Sequence, residues 1–270
     1  LDVILGVLLG CYSRPDRDPR GHTFSLVFTA VARGEPVAGW TRIVVEKPFG
    51  TDLASAIELD RDISEAFSER QVYRIDHYLA KEMLQGIVNF RFANNLFEFV
   101  WNRDTIESIE VSLNETLGVE DRGAFYDGVG ALRDVGQNHC LHMLALVTMD
   151  QPVSLEADAI RTKRAQLLET VKRPTEIEVA QDTFRAQYDG YRDIEGVAPD
   201  SDTDTYFKIK TVLQSPRWRS VPITLEGGKR ISDGNKEIVV NFRHPQPCLC
   251  GPEGHHMNRV VFKLAPEESI

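Results

Sequence analysis

Apolar residues recur along this chain with two different spacings, and the character changes near residue 100. In TRIVVEKPFG, residues 41 to 50, an apolar run from Ile43 to Val45 stops at a charged pair and a Pro-Phe-Gly turn, which predicts a short buried strand. TDLASAIELDRDISEAF then puts apolar residues at Leu53, Ala56, Ile57 and Ile63, a helical spacing with Thr51 or Asp52 placed to cap its start. QVYRIDHY returns to strand and LAKEMLQGIVNFRFANNLF to helix. Strand, helix, strand and helix in succession predict βαβ units and a parallel sheet. Residues 1 to 40 are less regular: an apolar opening LDVILGVLLGCY, loop signals in SRPDRDPRG, and a short apolar run FSLVFTAVA.

Beyond Trp101 the pattern differs. SIEVSLNET alternates as a half-exposed strand does, ALRDVGQNHCLHMLALVTMD reads as one long helix, and a further helix is expected from Ala157 to Val171. TYFKIKTVL, VPITLEG, KEIVVNFR and RVVFKL then read as strands, which favours an antiparallel sheet with helices on one face. The expected fold class is therefore an α/β part with a parallel sheet over residues 1–102, then an α+β domain over residues 103–270 with a large, mainly antiparallel sheet.

Composition narrows the classes of function. The chain has 270 residues, 42% hydrophobic and 27% charged, with a net charge of −10, which argues against a nucleic-acid footprint of clustered Lys and Arg. Its apolar opening is too short to span a bilayer and lacks the basic flank of a signal peptide. The four cysteines, Cys11, Cys140, Cys248 and Cys250, are scattered rather than framed, which suits a reducing compartment and an expectation of a soluble cytoplasmic protein. The first residue is Leu, from which the chain is expected to begin partway through a larger one.

Three stretches carry candidate chemistry. VYRIDHYLAKEML packs Asp76, His77, Tyr78 and Lys81 at the end of an expected parallel strand, the edge where ligands bind in open α/β sheets. His77 and Lys81 are four apart, so on a following helical turn they would share a face and, with the Tyr78 hydroxyl, cradle a dianion such as phosphate. In EKPFG, Lys47 is held by Pro48, which also raises the question of a cis bond. In GALRDVGQNHCLH, Asp134 and His139 interrupt an apolar helix beside Gln137 and Asn138, and a histidine oriented by a carboxylate is a standard general base. Each residue alone reads as readily as a helix start, a turn or a satisfied core histidine; the clusters favour function. Cys248 and Cys250 with His255 and His256 do not have zinc-knuckle spacing, so no metal is expected. Gly227-Gly228-Lys229 reads as a turn, and no Gly-x-Gly-x-x-Gly or Walker loop occurs.

Taken in order, EKPFGTDLASA, YRIDHYLAKE, FRFANNLFEFVWNR, RGAFYDGVGALRDVGQNH and GVAPDSDTDTY resemble the glucose-6-phosphate dehydrogenase family, from about Trp40 to Ile270. The resemblance implies that residues 1–102 are the end of a Rossmann-type dinucleotide-binding domain and residues 103–270 a substrate-binding domain. It implies that His139 takes the proton from the anomeric hydroxyl of glucose 6-phosphate while hydride leaves C1 for NADP, giving a 6-phospho-lactone at the entry to the pentose phosphate pathway. Asp76 would pair with and orient His139. His77, Tyr78 and Lys81 would hold the phosphate, Glu115 and Asp134 would accept from sugar hydroxyls, Lys229 would contact the sugar phosphate, and Lys47 would reach both substrate and coenzyme. The large sheet could also serve a homodimer.

The departures set the alternatives. Ala80 stands where the family usually has Gly, and Gly234 where it has an Arg five residues after Lys229. The family's glycine-rich fingerprint belongs further ahead of Lys47 than the 46 residues that precede it here. A middle piece or degenerate copy is therefore expected, and a non-catalytic remnant keeping a sugar-phosphate pocket or dimer surface is the alternative. Another sugar oxidoreductase with Glu-Lys-Pro is a third reading, against which RIDHY and QNH count.

Overall fold

The computed structural model describes residues 2–12, 25–33, 42–47, 49–50, 52–94, 96–245, 247 and 258–270, the first two stretches as backbone. The chain divides into two compact units, Leu1–Ile75 and Asp76–Ile270.

In the first unit, β1 (Asp2–Tyr12) and β2 (Ser25–Arg33) pair antiparallel, from Asp2↔Arg33 to Tyr12↔Ser25. β3 (Ile43–Glu46) runs through α1 (Leu53–Ala66) to β4 (Val72–Ile75), which lies parallel to β3 in the register Ile43↔Val72 to Glu46↔Ile75. This is the expected strand–helix–strand unit. Asp52 starts the helix through a capping box: its carboxylate accepts from Ser55 N at 2.8 Å, and Ser55 Oγ accepts from Asp52 N at 3.1 Å. Thr51, the other candidate cap, and Pro48 lie outside the described residues.

The second unit opens with α2 (Glu82–Phe92), followed by β5 (Ile106–Asn114) and the short α3 (Gly123–Tyr126). A helix then runs from Leu132 to Thr148 in two parts: residues Leu132–Cys140 bond i→i+5, as a π-helix, and α4 (Leu141–Thr148) continues as an ordinary α-helix. The sequence predicts one long helix here, but its widened first half is invisible to hydrophobic periodicity. α5 (Ala157–Leu168) ends before the expected Val171. α6 (Glu176–Asp182) and β6 (Thr183–Ala186) lie in a stretch from which no element was expected.

β7 (Tyr206–Thr211), β8 (Ile223–Gly228), β9 (Lys236–Phe242) and β10 (Arg259–Ala265) complete a sheet of order β10-β9-β5-β8-β7-β6. All its neighbours are antiparallel except β5 and β8. Alternation explains its two faces. Ile109, Val111 and Leu113 of β5, Ile223 and Leu225 of β8, and Ile238 and Val240 of β9 enter one core with Leu84 and Ile87 of α2 and Met143, Leu144 and Val147 of α4. The other face is polar, with Asn241 donating to Ser108 Oγ and Glu110 and with Lys208 3.2 Å from Glu226. No helix among the described residues is long and apolar enough to cross a membrane.

What fixes the long helix is the satisfaction of its ends. At its start, Asp204 accepts from Leu132 N through Oδ2 at 3.0 Å and from Ala131 N through its own carbonyl at 2.8 Å, so a buried carboxylate sits on the positive end of the dipole. At its finish, Met149 N donates to Ala145 O, leaving the carbonyls of residues 146 to 148 without helical partners. Arg91 Nη1 donates to Leu146 O at 3.1 Å, Trp101 Nε1 to Val147 O at 2.7 Å and Trp218 Nε1 to Thr148 O at 2.6 Å, all three donors being fully buried. Between the ends, Gly136 lets the π-helix lie directly on β7: a Cβ there would meet the Phe207 ring at 2.8 Å.

Trp218→Phe keeps most of the ring but orphans the Thr148 carbonyl, a buried loss worth about 1–3 kcal/mol. Trp218→Ala should cost about 3–5 kcal/mol. Equilibrium urea unfolding of the two variants checks this, and a Phe variant as stable as the parent would remove the helix-end role.

Candidate active site

The site is built on a tight turn. After Ile75 the Asp76 carboxylate accepts from Tyr78 N at 2.9 Å and the Asp76 carbonyl accepts from Leu79 N, which winds Tyr78–Ala80 into a single 3₁₀ turn. Lys81 is then extended (φ −67°, ψ 137°) and opens α2. His77 and Lys81 therefore do not share one α-helical face, as their four-residue spacing predicts; the Asx turn at Asp76 claims the backbone first. His77 is exposed on this turn, and Tyr78 is turned inward.

Asp76 holds two imidazoles. Its Oδ1 lies 2.7 Å from His139 Nδ1 and its Oδ2 2.9 Å from His142 Nδ1. Burial pushes the Asp76 carboxyl toward neutrality, but the hydrogen bonds from His139 and His142 outweigh it and hold the group well below the usual carboxylate range. His139 is only 3% exposed, and the Tyr78 ring packs over it with centroids 4.5 Å apart. With Nδ1 on Asp76, Nε2 is the ring's second nitrogen through which a proton can be gained or lost. The π-helix contributes to this face, because i→i+5 bonding brings residues five apart, Asp134 and His139, toward one side of the helix.

A second carboxylate holds two lysines. Glu115, just past β5, accepts from Lys229 through Oε2 and from Lys236 through Oε1, the latter at 3.0 Å. Lys229 also lies 3.9 Å from Asp134. Burial would raise the Glu115 pKa, but Lys229 and then Lys236 pull it below the usual value. Lys236 Nζ stands 6.0 Å from the Tyr78 ring centroid. Burial works against the Lys236 charge; Tyr78 and Glu115 outweigh it and hold the ammonium above the usual lysine value. Burial also raises the Tyr78 phenol, which is therefore neutral at ordinary pH, so Glu115 is the partner that matters there. Tyr78 thus touches both halves of the site, the imidazole pair and the lysine–carboxylate cluster.

The glucose-6-phosphate dehydrogenase C-terminal domain matches residues 88–270, and the NAD binding domain of the same enzyme matches residues 20–86. The chain belongs to the glucose-6-phosphate dehydrogenase family. It is 41% identical over 244 residues to the glucose-6-phosphate 1-dehydrogenase of Bacillus subtilis (strain 168), covering 86% of this chain and 50% of the relative. It is 39% identical over 245 residues to the cytoplasmic glucose-6-phosphate 1-dehydrogenase 6 of Arabidopsis thaliana, covering 91% and 47%. Among solved structures, the Mycobacterium avium enzyme superposes with a TM-score of 0.77 at 38% identity over 84% of this chain and 51% of that one. A glucose-6-phosphate dehydrogenase in complex with its substrate glucose-6-phosphate superposes at 0.78 with 35% identity, over 86% and 49%. The chain spans about half the length of the curated relatives it matches.

Against the residues expected from the glucose-6-phosphate dehydrogenase resemblance, Asp76, Tyr78, Glu115, Asp134, His139 and Lys229 come together in the second unit. Lys81 takes another partner: its Nζ donates to Leu264 O at 3.2 Å and lies 3.8 Å from Glu268. Glu268 in turn accepts from Met83 N at 2.7 Å, a carboxylate seated at the start of α2. Lys47 directly follows β3, in the first unit. Asn138, read as company for His139, donates to the Asp134 carbonyl and braces the helix, and Gln137 is exposed. At Gly234 a Cβ would meet Thr116 Cγ2 at 2.8 Å, so any side chain there would require the loop or Thr116 to shift.

Sequence reasoning missed His142 and Lys236. His142 is signalled by its place one turn after His139; nothing marks Lys236 among other strand-end lysines. Cys140 is a packing residue, its thiol pushed up to about 12 by burial and then by Asp76. Among the described residues no group of three His, Cys, Asp or Glu could hold a metal ion; Cys248, Cys250, His255 and His256 lie outside them.

Because the Asp76 pKa is depressed on folding, its pairing stabilises the fold above the unfolded carboxyl value of about 3.9 and the gain is lost as pH falls below that. Asp76→Asn should therefore be destabilised relative to the parent near neutral pH, with the gap narrowing in acid. Urea unfolding at about pH 7 and about pH 3.5 measures it; a gap of equal size at both would mean that the carboxylate charge contributes nothing.

Proposed function

We propose that this chain binds glucose 6-phosphate and carries out the sugar side of its oxidation at C1 to 6-phospho-D-glucono-1,5-lactone, as a cytoplasmic NADP-dependent oxidoreductase. The observation that carries the reading is a buried imidazole fixed by Asp76 at 2.7 Å, sharing the Tyr78 ring with a cluster of two carboxylates and two lysines. An oriented base beside groups that match hydroxyls and a phosphate is what the oxidation of a sugar phosphate requires.

In this reading Asp76 fixes the His139 tautomer so that Nε2 accepts the proton of the anomeric hydroxyl, and it stabilises the imidazolium that results. Glu115 and Asp134 accept from ring hydroxyls and Lys229 donates to the sugar phosphate between them. His77, Tyr78 and Lys81 form the phosphate end. NADP, when bound, supplies the hydride acceptor for C1. Lys47, at the carboxyl end of the parallel β3–β4 pair, is in the position from which such folds reach a dinucleotide, so it is the residue of this chain that would touch both coenzyme and substrate. Residues 1–102 would then be the end of the coenzyme-binding domain and 103–270 the substrate domain, with the polar face of the large sheet available to a second copy.

Reduction of NADP by the chain with glucose 6-phosphate tests this directly. His139→Asn should lower the rate by about 10²–10⁴-fold with little change in sugar affinity, and an unchanged rate would refute the role given to His139. Lys81→Ala should weaken glucose 6-phosphate more than glucose. Sugar-phosphate binding without any coenzyme reduction would favour a binding remnant over an enzyme.

A further inference from the structure

Lys236 has been given no role so far, although it is a member of the Glu115 cluster. It opens β9 and reaches across to Glu115 Oε1 at 3.0 Å, with Tyr78 beside it. Across the β9–β10 pair it is opposite Ala265, the residue after the carbonyl that takes the Lys81 ammonium. Lys81 and Lys236 thus both attach to the same end of that strand pair, Lys81 through the Leu264 carbonyl and Lys236 through its own backbone opposite Ala265.

Charge counting shows what is missing without it. A phosphate monoester brings about −1.5 to −2 charges at neutral pH. Lys81 is already shared with Glu268, and Lys229 is held between Glu115 and Asp134. Among the described residues Lys236 has one carboxylate partner, Glu115, which keeps Lys229 if Lys236 leaves. The flexible four-carbon stem of a lysine lets its ammonium swing while the backbone stays fixed in the sheet.

Resting on the functional reading above, we propose that Lys236 is the second cation of the phosphate end and that it works by exchange. In the free protein it is paired with Glu115; with a sugar phosphate bound it turns to the phosphate and leaves Glu115 Oε1 to a sugar hydroxyl. Phosphate binding and hydroxyl recognition are thereby coupled through one side chain. A neutral sugar, having no dianion to draw the ammonium away, meets a Glu115 with both oxygens engaged by lysines.

Titration calorimetry of the 270-residue chain with glucose 6-phosphate, glucose and inorganic phosphate tests the exchange without any need for turnover. Lys236→Met and Lys236→Gln should each weaken glucose 6-phosphate and inorganic phosphate by about tenfold or more, the loss expected for a charge-assisted contact. Glucose should not weaken, and should tighten if anything, because Glu115 Oε1 is then free, and Lys236→Arg should recover most of the phosphate affinity. Glu115→Gln, which frees the ammonium, should tighten inorganic phosphate. A structural ion pair predicts the opposite: lowered melting temperatures in Lys236→Met and Lys236→Gln with ligand preferences unchanged. Parent binding of glucose 6-phosphate with no loss in the folded Lys236 variants, or weaker phosphate binding in Glu115→Gln, overturns the exchange and leaves the functional reading standing. A parent that binds neither glucose 6-phosphate nor phosphate overturns both.

Discussion

The helix from Leu132 to Thr148 has no free end, and the rest of the site takes its geometry from that. Asp204 satisfies the first amides, and Arg91, Trp101 and Trp218 satisfy the last carbonyls from three separate stretches of chain. Arg91 is itself fixed by Glu98, which also binds Arg217. A buried guanidinium or indole that lost its carbonyl would carry an unmet donor in an apolar core, so register along this helix is specified far more tightly than apolar packing would specify it. His139 and Asp134 inherit that register. Side chains on a helix locked at both ends are held in place more tightly than residues on loops.

The widened first half of this helix serves the same end. In a regular α-helix Asp134 and His139, five apart, would diverge around the axis. With i→i+5 bonding they approach one side, where Asp134 meets Lys229 and His139 meets Asp76. Gly136 keeps the wide turn pressed on Phe207. Close packing on the sheet and an active face on the same helix are thus reconciled by one irregularity.

Much of this was legible in the sequence, though unevenly. Period-two and period-3.6 patterns placed β3, α1, β4, β5 and β7 to β10 nearly where they stand; in the large sheet this is because β5, β8 and β9 each bury one face. DHY and QNH pointed to the pair that the fold brings together, Asp76 and His139, because ionisable residues at an apolar strand end or on an apolar helix need a reason to be there. The motifs FRFANNLFEFVWNR and GVAPDSDTDTY carried the resemblance without revealing their task, which is to hold the two ends of the long helix through Arg91, Trp101 and Asp204. Such contacts join residues more than forty positions apart, and no local pattern encodes them. The four-residue spacing of His77 and Lys81 misled for a related reason: an Asp side chain diverted the backbone before a helix could form.

Both carboxylates at the centre of the site follow one electrostatic rule. Asp76 is shared by two imidazoles and Glu115 by two ammonium groups, so each negative charge is matched on both oxygens before any ligand arrives. Half-buried carboxylates left unmatched would rise in pKa and lose the charge on which their roles depend; matched, both are held ionised. Their partners differ in what they can give up. The imidazoles of His139 and His142 are ring-rigid and fixed on a locked helix, so Asp76 stays committed to orienting them. The lysines hang on flexible stems from strand ends, so Glu115 can change partners at little conformational cost. One carboxylate is thus joined to groups that the fold holds still, and the other to groups on stems that can turn.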